Sequence, residues 1–139
     1  GVLLLDQLIL LLNENGVSSI QKGKLDTTFF RDDFRRSEVP HNAKATEMEV
    51  SIEGKNVVLI DDVLFTGRSI RSALTAIDSY GRPESIELLV LVDRRFSRHL
   101  PIQPDYLGAQ IDALQGDKVK VVWSEGTANN IVYLEKQNQ

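Results

Sequence analysis

Two carboxylates stand side by side in this chain. Asp61 and Asp62 directly follow the apolar run Val57-Val58-Leu59-Ile60. A short turn separates them from Thr66-Gly67-Arg68-Ser69. Gly67 lets the backbone turn tightly and approach an anion, and Thr66 and Ser69 offer hydroxyl donors. A helix starting there adds free N–H groups and the positive end of its dipole. Together these parts fit a phosphate. Carboxylates cannot bind a phosphate, but they suit the hydroxyls of a sugar, or a hydrated Mg²⁺ carried on a pyrophosphate. The run is not a Walker loop, because it lacks G-x-x-x-x-G-K-[ST]. The plain alternative is a strand–turn–helix junction with Asp62 near an N-cap. Against that alternative stands the cost of burying paired carboxylates with no partner.

The surrounding elements must hold these groups at one edge. The unbroken aliphatic run predicts a strand buried on both faces, as in a parallel sheet. Such strands carry ligand sites at their carboxyl ends. From Ser69 to Tyr80, Ile70, Ala73, Leu74 and Ile77 share one helical face, and Gly81-Arg82-Pro83 stops the helix. Ile86 to Val92 predicts a second buried parallel strand, completing a right-handed βαβ unit. Asp93-Arg94-Arg95 then falls on the same edge as Asp61 and Asp62. Two short strands are expected at Tyr106 to Ala109 and Val119 to Trp123, and an edge strand at Asn129 to Leu134.

Upstream, Val2 to Leu12 reads as a mostly buried helix, with Gly16 as its C-cap. Lys24 to Phe30 reads as a strand and Glu47 to Ile52 as a hairpin strand, with a turn at Glu53-Gly54-Lys55-Asn56. Ser37 to Glu49 is polar and aperiodic, which fits a functional lid or a plain surface loop. The fold class is α/β: a mostly parallel twisted sheet flanked by helices, in one domain over residues 1–139.

Composition excludes several chemistries. The chain has no cysteine, so disulfides and thiolate metal sites are unavailable. A net charge of −4 argues against a generally basic nucleic-acid binder, leaving only a local patch. The lack of cysteine fits the expected cytoplasmic location, and no apolar run reaches membrane-span length, so no membrane partner is expected. His41 and His99, the only histidines, lack metal-ligand spacing and read as surface residues.

L-I-D-D-V-L-F-T-G-R-S resembles the phosphoribosyl-pyrophosphate (PRPP) loop of the type I phosphoribosyltransferases. The form T-G-R-S is similar to one branch, the pyrimidine-operon attenuation regulators with uracil phosphoribosyltransferase activity. L-D-T-T-F-F-R-D-D-F at Leu25, Y-G-R-P-E-S-I-E-L-L-V-L-V-D-R-R at Tyr80 and L-P-I-Q-P-D-Y-L-G at Leu100 extend the resemblance over nearly the whole chain. The resemblance implies that Asp61 and Asp62 hold the ribose hydroxyls with Mg²⁺ nearby, and that Thr66 to Ser69 wrap the 5′-phosphate. Val63, Leu64, Phe65 and Arg68 belong to the same nucleotide-binding loop. It further implies Arg94 and Val119 at the base, and a lid at Ser37 to Lys44. Gly1-Val2 resembles the end of the family's pyrophosphate loop, so the chain is expected to be N-terminally incomplete. The sequence departs from the family at Phe96-Ser97-Arg98-His99, which is a residue longer, and at Gly108-Ala109-Gln110, which lacks a Lys.

The implied reaction is uracil plus PRPP to UMP plus pyrophosphate. It needs positioning and charge neutralisation but no nucleophilic side chain. Arg31, at a strand end, can pair with pyrophosphate oxygens; an exposed surface arginine is the alternative. For Arg94 the alternative is a salt bridge with Asp93 or Asp61. Arg35, Arg36, Arg71 and Arg82, with Arg95 and Arg98, are the candidates for binding pyrimidine-operon mRNA. A homo-oligomer is expected. A purine-type transferase without RNA regulation is the competing reading.

Overall fold

The computed structural model describes residues 1–26, 48–124 and 130–137. Helix α1 (Val2–Glu14) comes first, followed by strand β1 (Asn56–Leu64), helix α2 (Arg68–Ile77) and strand β2 (Ser85–Arg95). Strands β3 (Tyr106–Asp112), β4 (Lys118–Val122) and β5 (Ile131–Glu135) complete the order. β1, β2 and β3 form a parallel sheet in that order, while β4 and β5 make a separate antiparallel pair. The sheet is therefore parallel where the sequence predicts it, and the last two strands form their own ribbon.

The βαβ unit forms as its periodicity predicts. Ile70, Ala73 and Ile77 are buried on α2. Leu64, Ile70, Leu88 and Val90 make the core, with Leu59, Leu74 and Ile102 packed against it. Both strands run further than the apolar runs do. The ladder pairs Asp61 with Val90 and Leu64 with Asp93, so both acids lie inside β1 rather than after it. Backbone pairing is indifferent to side-chain polarity, and it continues until the turn at Phe65.

Two expectations fail. α1 is mostly exposed: Leu4 is its buried residue, while Leu3, Leu10 and Leu11 are more than half exposed. Among the described elements it meets β1, too little surface to cover a helix apolar on several sides. Its end is as expected: Gly16 takes φ +85°, and the N–H groups of Gly16 and Val17 close a Schellman motif on Asn13 and Leu12. Residues 48–52 form no strand; they enter the turn at Gly54, which takes φ +67°. Of the strand expected from Lys24 to Phe30, residues 24–26 are described, with a one-residue bridge at Lys24, and the rest lies outside the described residues. No described helix is long and apolar enough to cross a membrane.

Candidate functional site

The carboxyl edge of β1 and β2 collects the predicted residues. Successive side chains leave a strand on opposite faces, so Asp61 and Asp62 diverge from β1 rather than standing parallel. Asp61 Oδ1 accepts the N–H of Asp62 at 2.9 Å. Burial pushes the Asp61 carboxyl above its ordinary 3.8, and the neighbouring Asp62 charge is the least of its influences. The Asp62 side chain is 26% exposed, but its Oδ1 is buried and makes no hydrogen bond. The Gly1 nitrogen lies 3.0 Å from that oxygen. Gly1 stands so close to β1 that a Cβ would sit 2.6 Å from the Ile60 carbonyl oxygen. The absence of a side chain there brings the start of α1 against the acids.

The turn from Phe65 to Gly67 joins β1 to α2. Gly67 is buried with φ +95°, a left-handed conformation that suits glycine. The Arg68 N–H reaches Thr66 Oγ1 at 3.3 Å, and Arg68 and Ser69 are exposed on the first turn of α2. Val63 is half-buried, whereas Leu64 is 1% exposed in the core. The expected nucleotide contact of Leu64 is corrected on this point: its side chain packs inward, leaving only backbone for a ligand. On the far side of the turn, the Thr66 carbonyl accepts the N–H of His99 at 2.9 Å and of Leu100 at 3.3 Å. Arg98 donates from Nη1 to the Phe65 carbonyl at 2.5 Å and from Nη2 to the buried carboxylate of Asp93.

Arg94 is 7% exposed. Its guanidinium lies over the Phe65 ring, and Nη2 donates to the Asp117 carbonyl at 2.9 Å, while Nε is buried without a hydrogen bond. The alternative of a salt bridge between Arg94 and Asp93 is not what forms, because Asp93 pairs with Arg98. Asp117 accepts the N–H groups of Leu114 and Gln137, which hold its carboxyl below the usual value. Val119 lies two positions further on, half-buried in β4 opposite Leu134. Arg94 thus links the turn after β1 to the entry of β4.

Arg71 is exposed in the first part of α2, and Arg82 is exposed in the connection beyond it. Arg31, Arg35, Arg36, His41 and the segment 37–44 lie outside the described residues. Among the described residues no cluster of three His, Cys, Asp or Glu offers a ready metal site. Sequence reasoning named Gly1 and Arg98 but not the contacts they make here, Gly1 with Asp62 and Arg98 with Asp93 and Phe65. A glycine before an apolar helix was the available signal for the first; for Arg98 there was none. Beside Arg98 a cleft of about 450 Å³ opens, with Arg95, Phe96, Gln103 and Gln110 among its walls.

Residues 1–128 match the phosphoribosyl transferase domain family. The bifunctional protein PyrR of a Picosynechococcus species is 46% identical over 118 residues, covering 85% of this chain and 66% of that protein. The bifunctional protein PyrR 1 of Lactiplantibacillus plantarum is 40% identical over 138 residues, covering 98% of this chain and 76% of that one. A hypoxanthine phosphoribosyltransferase structure from Staphylococcus aureus shares 32% identity over 49% of this chain and 35% of its own, at TM-score 0.42. A superposition that partial decides nothing about the base. The chain therefore spans about two thirds to three quarters of the two PyrR proteins. It belongs to the phosphoribosyl transferase domain family, among the PyrR proteins.

Proposed function

We propose that the β1–α2 junction binds PRPP, and that the protein carrying this chain transfers its phosphoribosyl group to uracil. The observation that carries this reading is the junction itself. A desolvated Asp61, and an Asp62 whose buried Oδ1 makes no hydrogen bond and faces the Gly1 nitrogen, precede a left-handed Gly67 at the start of α2. Thr66, Gly67, Arg68 and Ser69 take the 5′-phosphate through hydroxyls and N–H groups. Asp61 and Asp62 take the ribose hydroxyls. The bond from C1′ to pyrophosphate breaks as the bond from the uracil nitrogen to C1′ forms, and the uracil proton passes to solvent or to the departing pyrophosphate.

The carboxylates also fit Mg²⁺ accompanying PRPP, since a buried carboxylate oxygen without a hydrogen bond can accept a cation or its water. When bound, that ion supplies charge neutralisation on the pyrophosphate. Arg31 pairs with the same oxygens. Arg94 shapes the base side by holding Phe65 and Asp117 together, with Val119 next along β4.

The word bifunctional in the relatives' names supports a second activity. We read it as UMP-dependent binding of pyrimidine-operon mRNA, with attenuation of transcription. Arg35, Arg36, Arg71 and Arg82 supply the phosphate contacts, gathered by a homo-oligomer.

Calorimetric titration of the full-length protein with PRPP and Mg²⁺, then with UMP and GMP, tests the first reading. PRPP and UMP are expected to bind, and a folded Asp61→Asn, Asp62→Asn double variant is expected to lose PRPP. Unchanged PRPP affinity in that variant would sink the assignment. Preference for GMP over UMP would favour a purine-type transferase.

A further inference from the structure

We propose that Arg98 is a positioning residue that aims the N–H groups of the β1–α2 turn at the phosphate. This rests on the PRPP reading of that turn. β2 ends at Arg95, and Phe96 then takes φ +68°, the one non-glycine left-handed residue among those described. That reversal folds the chain back, so Arg98 meets Asp93 only five positions earlier. One guanidinium arm pairs with the buried Asp93 carboxylate, and the other donates to the Phe65 carbonyl. His99 and Leu100, next in line, donate their N–H groups to the Thr66 carbonyl.

Three donor residues therefore converge on two successive carbonyls just before Gly67. A trans peptide unit is planar, with its carbonyl and N–H pointing opposite ways. Fixing the Phe65 carbonyl toward Arg98 aims the Thr66 N–H away from it. Fixing the Thr66 carbonyl toward His99 and Leu100 does the same for the Gly67 N–H. Asp93 is the anchor. It is 5% exposed and register-paired with Leu64, so the clamp is built on the sheet rather than on the loop. Arginine suits the role because its rigid fork serves two acceptors at once, whereas lysine presents a single point charge.

The test uses the full-length protein with Arg98→Ala and Arg98→Lys. Titration with Mg²⁺ and PRPP is combined with steady-state kinetics and with amide NMR of the unliganded protein. Arg98→Ala is expected to weaken PRPP binding and raise its KM by about tenfold or more, as misplacement of positioning groups does. The uracil KM should stay within about twofold of wild type, and the Thr66 and Gly67 amide signals should move before ligand is added. Arg98→Lys should fall between, since it keeps a charge beside Asp93 but loses the fork. If Arg98→Ala does not fold, Arg98→Lys carries the test. A folded variant with wild-type PRPP affinity and unmoved amides overturns the clamp while leaving the PRPP site standing. Absence of PRPP binding in the wild-type protein overturns the reading of the site, and the clamp's role falls with it.

Discussion

The guanidinium of Arg94 lies 4.0 Å above the ring centroid of Phe65. The same group donates to the Asp117 carbonyl, so one buried side chain ties the turn after β1 to the approach to β4. Arg94→Ala removes a desolvated cation–π contact and a charged hydrogen bond. The expected loss of stability is about 2–4 kcal/mol. Urea unfolding of the variant measures it. Arg94→Lys should recover little, because an ammonium cannot stack on Phe65 and reach Asp117 in the same way. A loss well under about 1 kcal/mol would mean the contacts are incidental.

Gly67→Ala should strain the turn. At φ +95° an L side chain is disfavoured by about 1–2 kcal/mol. The new Cβ would also sit 3.4 Å from Ile102 Cδ1 and Leu100 Cβ. A lower melting temperature together with weaker PRPP binding is the expected result. Wild-type values for both would mean the left-handed turn is dispensable.

Asp61 makes stability depend on pH in a defined direction. Its folded-state pKa lies above the ordinary 3.8 because burial disfavours the charged form. The folded state thus holds the proton more tightly than the unfolded chain. The associated stability is fully present below 3.8 and is lost as pH rises through the raised folded value. Asp61→Asn keeps an oxygen to accept the Asp62 N–H but removes the buried charge. It should melt higher than wild type at pH 7, with the advantage fading as pH falls through the raised folded value and gone below 3.8. The same variant should bind PRPP less well, a stabilisation gained at the expense of the site. Melting curves across pH decide the sign.

If the protein binds RNA through its arginines, each phosphate contact steepens the salt dependence. For single strands the slope is about 0.7 per neutralised charge. Arg71→Ala and Arg82→Ala should each flatten a filter-binding salt series by about that amount, without changing uracil turnover. They lie near the start of α2 and beyond its end, so one RNA contact must span the helix or join subunits. Unaltered slopes in both variants would remove these two residues from the RNA interface.

The βαβ frame was legible because its signals are local. Val57 to Ile60 and Ile86 to Val92 are continuous apolar runs, and Ile70, Ala73 and Ile77 repeat at the helical period. The ends of the strands were not, because the ladder carries on beneath Asp61 and Asp62 without regard to their charge. The exposure of α1 was missed for a different reason: apolar content says what a helix wants covered, not what covers it. The partner of β4 could not be read either, since Val119 meets Leu134 only through a pairing the local pattern does not encode. At the site, the residue types of the turn gave the candidate ligand. The contacts of Arg98 stayed hidden because its reach depends on the backbone reversal at Phe96, a residue that does not advertise a positive φ.

The register of the parallel sheet bears on how the chain finds its fold. Ser85 pairs with Asn56 across a separation of 29 positions, and Asp105 meets Leu88 across 17. These are short loops for a parallel sheet, and closing them costs little extra entropy because that cost grows only logarithmically with length. The segment from β1 to β3 therefore pairs its three strands within one continuous stretch of chain. Phe65, Asp93 and Arg98 all fall within that segment, so the contacts that shape the phosphate turn close over loops of this length and need no residue of the β4–β5 ribbon.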